Sequence, residues 1–119
     1  MKNVVTVKLD KERHFKFGVR AFIAMEKASG LPMSKIDFES MEAIFVMIYG
    51  GLVHEDKHLT VDKVISIVED LVEAEMENVA EGEEPKSYQE ALTEVLKPIT
   101  DAVMEAMGNK DGLNAMPKE

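Results

Sequence analysis

Seven consecutive apolar residues, Ala43 to Tyr49, sit near the middle of a chain of only 119 residues. Around them Met41, Ile44, Phe45, Ile48 and Leu52 recur at helical spacing, which predicts a helix over about 38–52 with Asp37 as its N-cap. A helix that is apolar around most of its circumference has two stable homes: the centre of a core, or beneath a partner. Gly50-Gly51 costs that helix roughly 1 kcal/mol per glycine against alanine. The pair therefore marks either a helix end or a place where another part of the chain comes close. Whatever else the chain folds into must supply the cover.

The first seventeen residues read as a hairpin over 3–17. Val5, Val7 and Leu9 alternate with Thr6 and Lys8, and Phe15 and Phe17 alternate with His14 and Lys16, the period of two that puts each set on one side of a strand. Asp10-Lys11-Glu12-Arg13 is expected to supply the polar turn. Two strands alone are marginal in water, so their Val/Leu/Phe face must lie on helices.

Three further helical patterns flank the apolar one. The first, over about 18–29, starts near Gly18, carries Val19, Phe22 and Ile23 on one side, and ends at Ser29-Gly30, where glycine suits the C-cap. Leu31-Pro32-Met33 is a connection. The third spans about 60–80: Thr60 caps it, Val61, Val64, Ile65, Val68, Leu71 and Val72 form its stripe, and Glu69, Asp70, Glu73, Glu75 and Glu77 make the outer face acidic. Glu81-Gly82-Glu83-Glu84-Pro85 is a linker. Ser87-Tyr88-Gln89-Glu90 is a capping box for the fourth, over about 87–107, with Leu92, Val95, Leu96, Ile99, Val103 and Met107 inward. Pro98 inside it predicts a kink or a break into two short helices. Residues 108–119 read as a mobile polar tail behind a single domain of 1–107. The expected fold class is α+β, mainly helical, an N-terminal β-hairpin packed on about four α-helices.

The net charge is −9, but it is unevenly placed. Residues 1–36 hold eight basic side chains against three acids, a surplus of +5, so the other 83 residues carry −14. The acid excess argues against nucleic-acid backbone binding, which needs a basic face. The two-ended layout allows head-to-tail self-association, or a basic partner docked on the acidic part. No apolar run reaches the roughly 18–20 residues of a membrane span. With no cysteine and no signal-like apolar core in Met1-Lys2-Asn3-Val4-Val5-Thr6, a cytoplasmic protein is expected.

His54-Glu55-Asp56-Lys57-His58 matches H-E-x-x-H, in which a helix aligns two zinc-binding histidines and a general base. Gly50-Gly51 before it and the Thr60 cap after it place the segment in a loop, where that alignment fails. No cysteine nucleophile, nucleophile elbow or phosphate-binding glycine pattern occurs. The expectation is no catalytic residue, no metal site and no cofactor. What remains is apolar. Nine methionines, among them Met25, Met41, Met47, Met76, Met104 and Met107 in predicted helices, either fill the core or line an adaptable groove for a partner helix. On the second reading Met41, Phe45, Ile48, Tyr49 and Leu52 are the partner-binding residues.

The order of features carries a resemblance. The hairpin runs into Phe15-Lys16-Phe17-Gly18-Val19-Arg20-Ala21, then a helix with Met25-Glu26-Lys27 closing on Gly30; downstream come Ile48-Tyr49-Gly50-Gly51-Leu52-Val53-His54-Glu55 and Leu59-Thr60-Val61-Asp62-Lys63-Val64. Over roughly residues 3–75 this resembles the small tail assembly chaperones of long-tailed (siphovirus-like) bacteriophages and prophages. In that family a strand pair leads into F/Y-G-x-x-x-x-x-x-x-E, and an apolar helix ends in G-L before L-T-x-E/D-x-V. The resemblance implies a non-enzymatic chaperone of the bacterial host cytoplasm that binds the tape measure protein, has the tail tube protein as a second partner, and is absent from the mature virion. The readings that compete with it are a phage structural protein (a head–tail connector or minor tail component) and an acidic inhibitor that mimics nucleic acid through Glu69–Glu84.

Overall fold

A computed structural model describes residues 4–108. The order is β1 (Val4–Lys8), β2 (Glu12–Lys16), α1 (Val19–Ser29), a 3-10 turn (Met33–Lys35), α2 (Met41–Leu52), α3 (Val61–Glu77) and α4 (Tyr88–Ala106). This is the expected α+β, mainly helical class. The tail expected over 108–119 lies, but for Gly108, outside the described residues.

The strands pair antiparallel, Val5 opposite Phe15 and Val7 opposite Arg13. The inward set is the predicted one: Val7, Leu9 and Phe15 are buried. The turn is tighter than expected. It closes at Leu9–Lys11 with a 2.9 Å bond from the Leu9 N–H to the Lys11 carbonyl, and this leaves Glu12 and Arg13 in β2. Arg13 consequently faces inward and is the one buried charged residue among those described.

α2 is the centre of the molecule. Ala43, Phe45, Val46, Met47, Ile48, Gly50, Gly51 and Leu52 are all buried, with β2, α1, α3 and α4 packed around them. The helix starts later than 38: Ser40 is its cap, accepting from the Ala43 N–H at 3.1 Å. Asp37 instead holds the preceding turn by accepting from the Glu39 N–H. Gly50 and Gly51 lie within the helix, and both mark close approaches. A Cβ on Gly50 would sit 3.1 Å from the Ala21 carbonyl oxygen and collide with Met25; one on Gly51 would meet the rings of Phe15 and Phe17.

Of the side that the apolar spacing of α1 suggests, only Phe22 packs inward, half-buried beside Phe17. Ala21 and Met25 are buried against α2, whereas Val19 is 73% and Ile23 48% exposed. The small Ala21 and the bare backbone of Gly50 let the two helices come closer than Val19 and Ile23 would permit. Gly30, at φ 76°, ends α1 in the left-handed region, its N–H on the Glu26 carbonyl.

α3 buries Val64, Val68 and Val72 and is capped by Thr60, as expected, but ends at Glu77 and not near 80. The Ser87–Glu90 capping box opens α4. The expected kink or break at Pro98 does not divide the helix, which runs unbroken from Tyr88 to Ala106. Pro98 lies on the exposed side, where water can serve the carbonyl deprived of its N–H partner, while Ile99, Ala102 and Val103 hold the inner side in the core. Between α3 and α4, the Lys86 ammonium bonds the carboxylates of Glu75 and Glu94 and clasps the two helices to their connector.

Candidate functional site

Three of the five residues expected to touch a partner are in the core. Ile48 and Leu52 are fully buried and Phe45 nearly so. The hairpin lies over the side of α2 that the sequence left without a cover, and α3 and α4 close the other side, so these residues have no surface left to offer. Met41 is half-exposed at the start of α2. Tyr49 is half-buried and opens into a groove. The methionines divide likewise: Met25, Met47 and Met104 are buried and Met76 and Met107 partly so, which makes core filling their main role.

The groove at Tyr49 has a volume of about 750 Å³ and lies between α1 and the C-terminal end of α2. Ile23 and Ala24 form one wall, Tyr49 and Val53 the other, and Lys16, Arg20, Lys27 and Lys57 stand around it. These four cations come from β2, α1 and the α2–α3 loop. None of them has a carboxylate within 4.0 Å among the described residues, although acids outnumber bases 23 to 14 in the chain. Lys86, by contrast, is doubly paired, and its bonds and charge hold the Glu75 carboxyl below its ordinary value.

The segment that carries H-E-x-x-H adds His54 as well as Lys57 to the groove's lining. That segment is a loop, not the helix of a zinc protease. His54 donates from Nε2 to the His14 carbonyl at 2.7 Å, which pins the loop to β2. The Glu55 carboxylate accepts from the His14 N–H at 2.9 Å and lies 3.1 Å from His14 Nδ1. Partial burial works to raise the Glu55 carboxyl; the bonds from the His14 backbone and ring, with the charge of His14 and His54, outweigh it and keep the group below its ordinary 4.5. Asp56 accepts from Arg13 at 3.3 Å, and Arg13 also forks onto Asp10 at 2.7 and 2.9 Å. The Arg13 hydrogen bonds hold both aspartates below their ordinary 3.8. The motif's polar letters thus rivet the loop to the hairpin. Among the described residues no three of His, Asp and Glu converge on a point where a metal ion would be held.

Of the acidic face expected on α3, Glu69, Asp70, Glu73 and Glu77 are exposed, and Glu75 is half-buried against Lys86. No described helix is long and apolar enough to cross a membrane.

The chain matches no protein-family model, no curated protein and no solved structure.

Sequence reasoning pointed to Tyr49 and passed over Lys16, Arg20, Ile23, Lys27, Val53 and Lys57. One signal was present, the basic surplus of residues 1–36. Nothing in the order of letters brings Lys57 beside Lys16 and Arg20; the turn of the α2–α3 loop does that.

Proposed function

We propose that this chain is a non-enzymatic assembly chaperone of a phage or prophage tail, acting in the bacterial cytoplasm on the tape measure protein, with the tail tube protein as a second partner. The observation that carries the reading is the Tyr49 groove. Its wall residue Ile23 and the neighbouring Val19 are exposed, and Tyr49 and Val53 are half-open to solvent, on the side of α1 turned away from its buried Ala21 and Met25. Exposed apolar surface rimmed by charge is the usual mark of a protein-binding face. A long helical client presents apolar stripes that aggregate unless covered, and a groove walled by two helices receives such a stripe at i, i+3, i+4 and i+7 spacing. The net charge of −9 keeps the chaperone and its complex dispersed.

Co-expression with a fragment of the tape measure protein of the same phage or prophage tests this. The fragment is expected to stay in the supernatant and to co-elute with the chain on gel filtration. A fragment that precipitates equally with and without the chain, and forms no complex, overturns the reading.

A further inference from the structure

We propose that the Tyr49 groove selects an acidic amphipathic helix, with the partner's apolar stripe on Ile23, Tyr49 and Val53 and its flanking carboxylates on Lys16, Arg20, Lys27 and Lys57. The assignment rests on the chaperone reading only in taking the partner to be a protein; its chemistry comes from the groove. Four like charges around one cleft, whose lining is about as polar as it is apolar, repel one another, and among the described residues none of them has a carboxylate partner although acids outnumber bases in the chain. Bringing negative charge to that rim relieves the repulsion and steers encounter, while the apolar walls supply the burial that charge alone does not.

Helical rather than extended structure follows from the walls. They are α1 and α2, and β2 contributes only its last residue, Lys16, so no sheet edge is available for an added strand. A second copy of this chain meets half the requirement. Its α3 offers Glu69, Asp70, Glu73 and Glu77, but no large apolar side chain of α3 is exposed beside them to cover Ile23 and Val53. A nucleic acid would satisfy the cations, yet it would bring a phosphate backbone to the side chains of Ile23, Tyr49 and Val53 and leave them without an apolar partner.

The test uses the full chain and three probes in fluorescence anisotropy. The first is a synthetic amphipathic helical peptide of about 20 residues with a leucine stripe flanked by glutamates. The second is the same peptide with lysines for glutamates, and the third a single-stranded oligonucleotide of similar length. The glutamate peptide is expected to bind at least about tenfold more tightly than the lysine peptide, with an advantage that shrinks as salt rises. In the double variant Arg20→Glu, Lys27→Glu the preference should reverse, and Ile23→Ser should weaken the glutamate peptide without changing the preference. Equal binding of both peptides, no binding of the glutamate peptide, or tighter binding of the oligonucleotide overturns the proposal. So does sedimentation showing an oligomer of the parent that the double variant dissolves, since the groove would then belong to a second copy. If the double variant fails to fold, the salt dependence of the parent with the three probes decides. A rescued tape measure fragment together with charge-blind peptide binding removes the acidic selectivity and leaves the chaperone. An unrescued fragment with selective peptide binding does the opposite.

Discussion

At Gly51 a single hydrogen atom sets how near the hairpin can lie to α2. A Cβ there would stand 2.6 Å from Phe17 and 2.7 Å from Phe15, whose ring is fully buried and has nowhere to retreat. Gly51→Ala is expected to lower stability by about 1–3 kcal/mol through overpacking, although alanine is the better helix former. Urea unfolding measures it, and an unchanged midpoint would mean that the rings yield. Arg13 acts through charge. Asp10 and Asp56 have folded-state values below 3.8 because of it, so the folded chain binds fewer protons than the unfolded one in that range. Their contribution is complete above the ordinary value and is lost as pH falls through the lowered ones. Arg13→Met should therefore be less stable than the parent at about pH 7, and the gap should narrow at about pH 2.5. A gap of constant size would refute the linkage. The sequence left Gly50-Gly51 as a helix end or a point of close contact, and at Gly51 it is the second. Arg13 looked like a turn residue, because a hydrophobic alternation cannot show that a guanidinium faces inward when its carboxylates come from elsewhere.

Among the elements, the helices were the most legible, since α2, α3 and α4 bury residues at the spacing their sequences display. Their ends were legible where a cap was written locally, as at Thr60 and Ser87, and misplaced where two candidates competed, as with Asp37 and Ser40. Ser87→Ala removes both the hydroxyl acceptor for the Glu90 N–H and the geometry of the reciprocal bond. A loss of about 1 kcal/mol is expected in thermal or urea melts, and Ser87→Asp should recover most of it. In α1 the inward side was legible at Phe22 and misplaced at Val19 and Ile23, because its apolar residues occupy more than one face. The choice was made by the fit between Ala21 and Gly50, a pairing across 29 positions that no local pattern encodes. The same limit explains the site. The sequence identified a helix too apolar to be left bare but could not say that the hairpin would cover it, so Phe45, Ile48 and Leu52 were expected at a surface they do not reach.

For the molecule as a whole, charge is segregated into a basic groove between α1 and α2 and an acidic face along α3. Within each cluster like charges repel, and few cross-pairs compensate. Added salt should therefore raise the melting temperature of the free chain, an effect opposite in sign to its weakening of the acidic-peptide complex. A melting temperature that falls between low and roughly 0.5 M sodium chloride would contradict the segregation. The way α1 is held has a consequence of its own. Its main contacts are with α2 and the 3-10 turn, and it is bounded by Gly18 and Gly30, so one wall of the groove is the least anchored helix of the fold. Its amides should exchange with solvent deuterium through a local opening that leaves α2 and α4 closed. An occupant of the groove would then slow exchange in α1 far more than in α4, writing its presence into the kinetics of one helix.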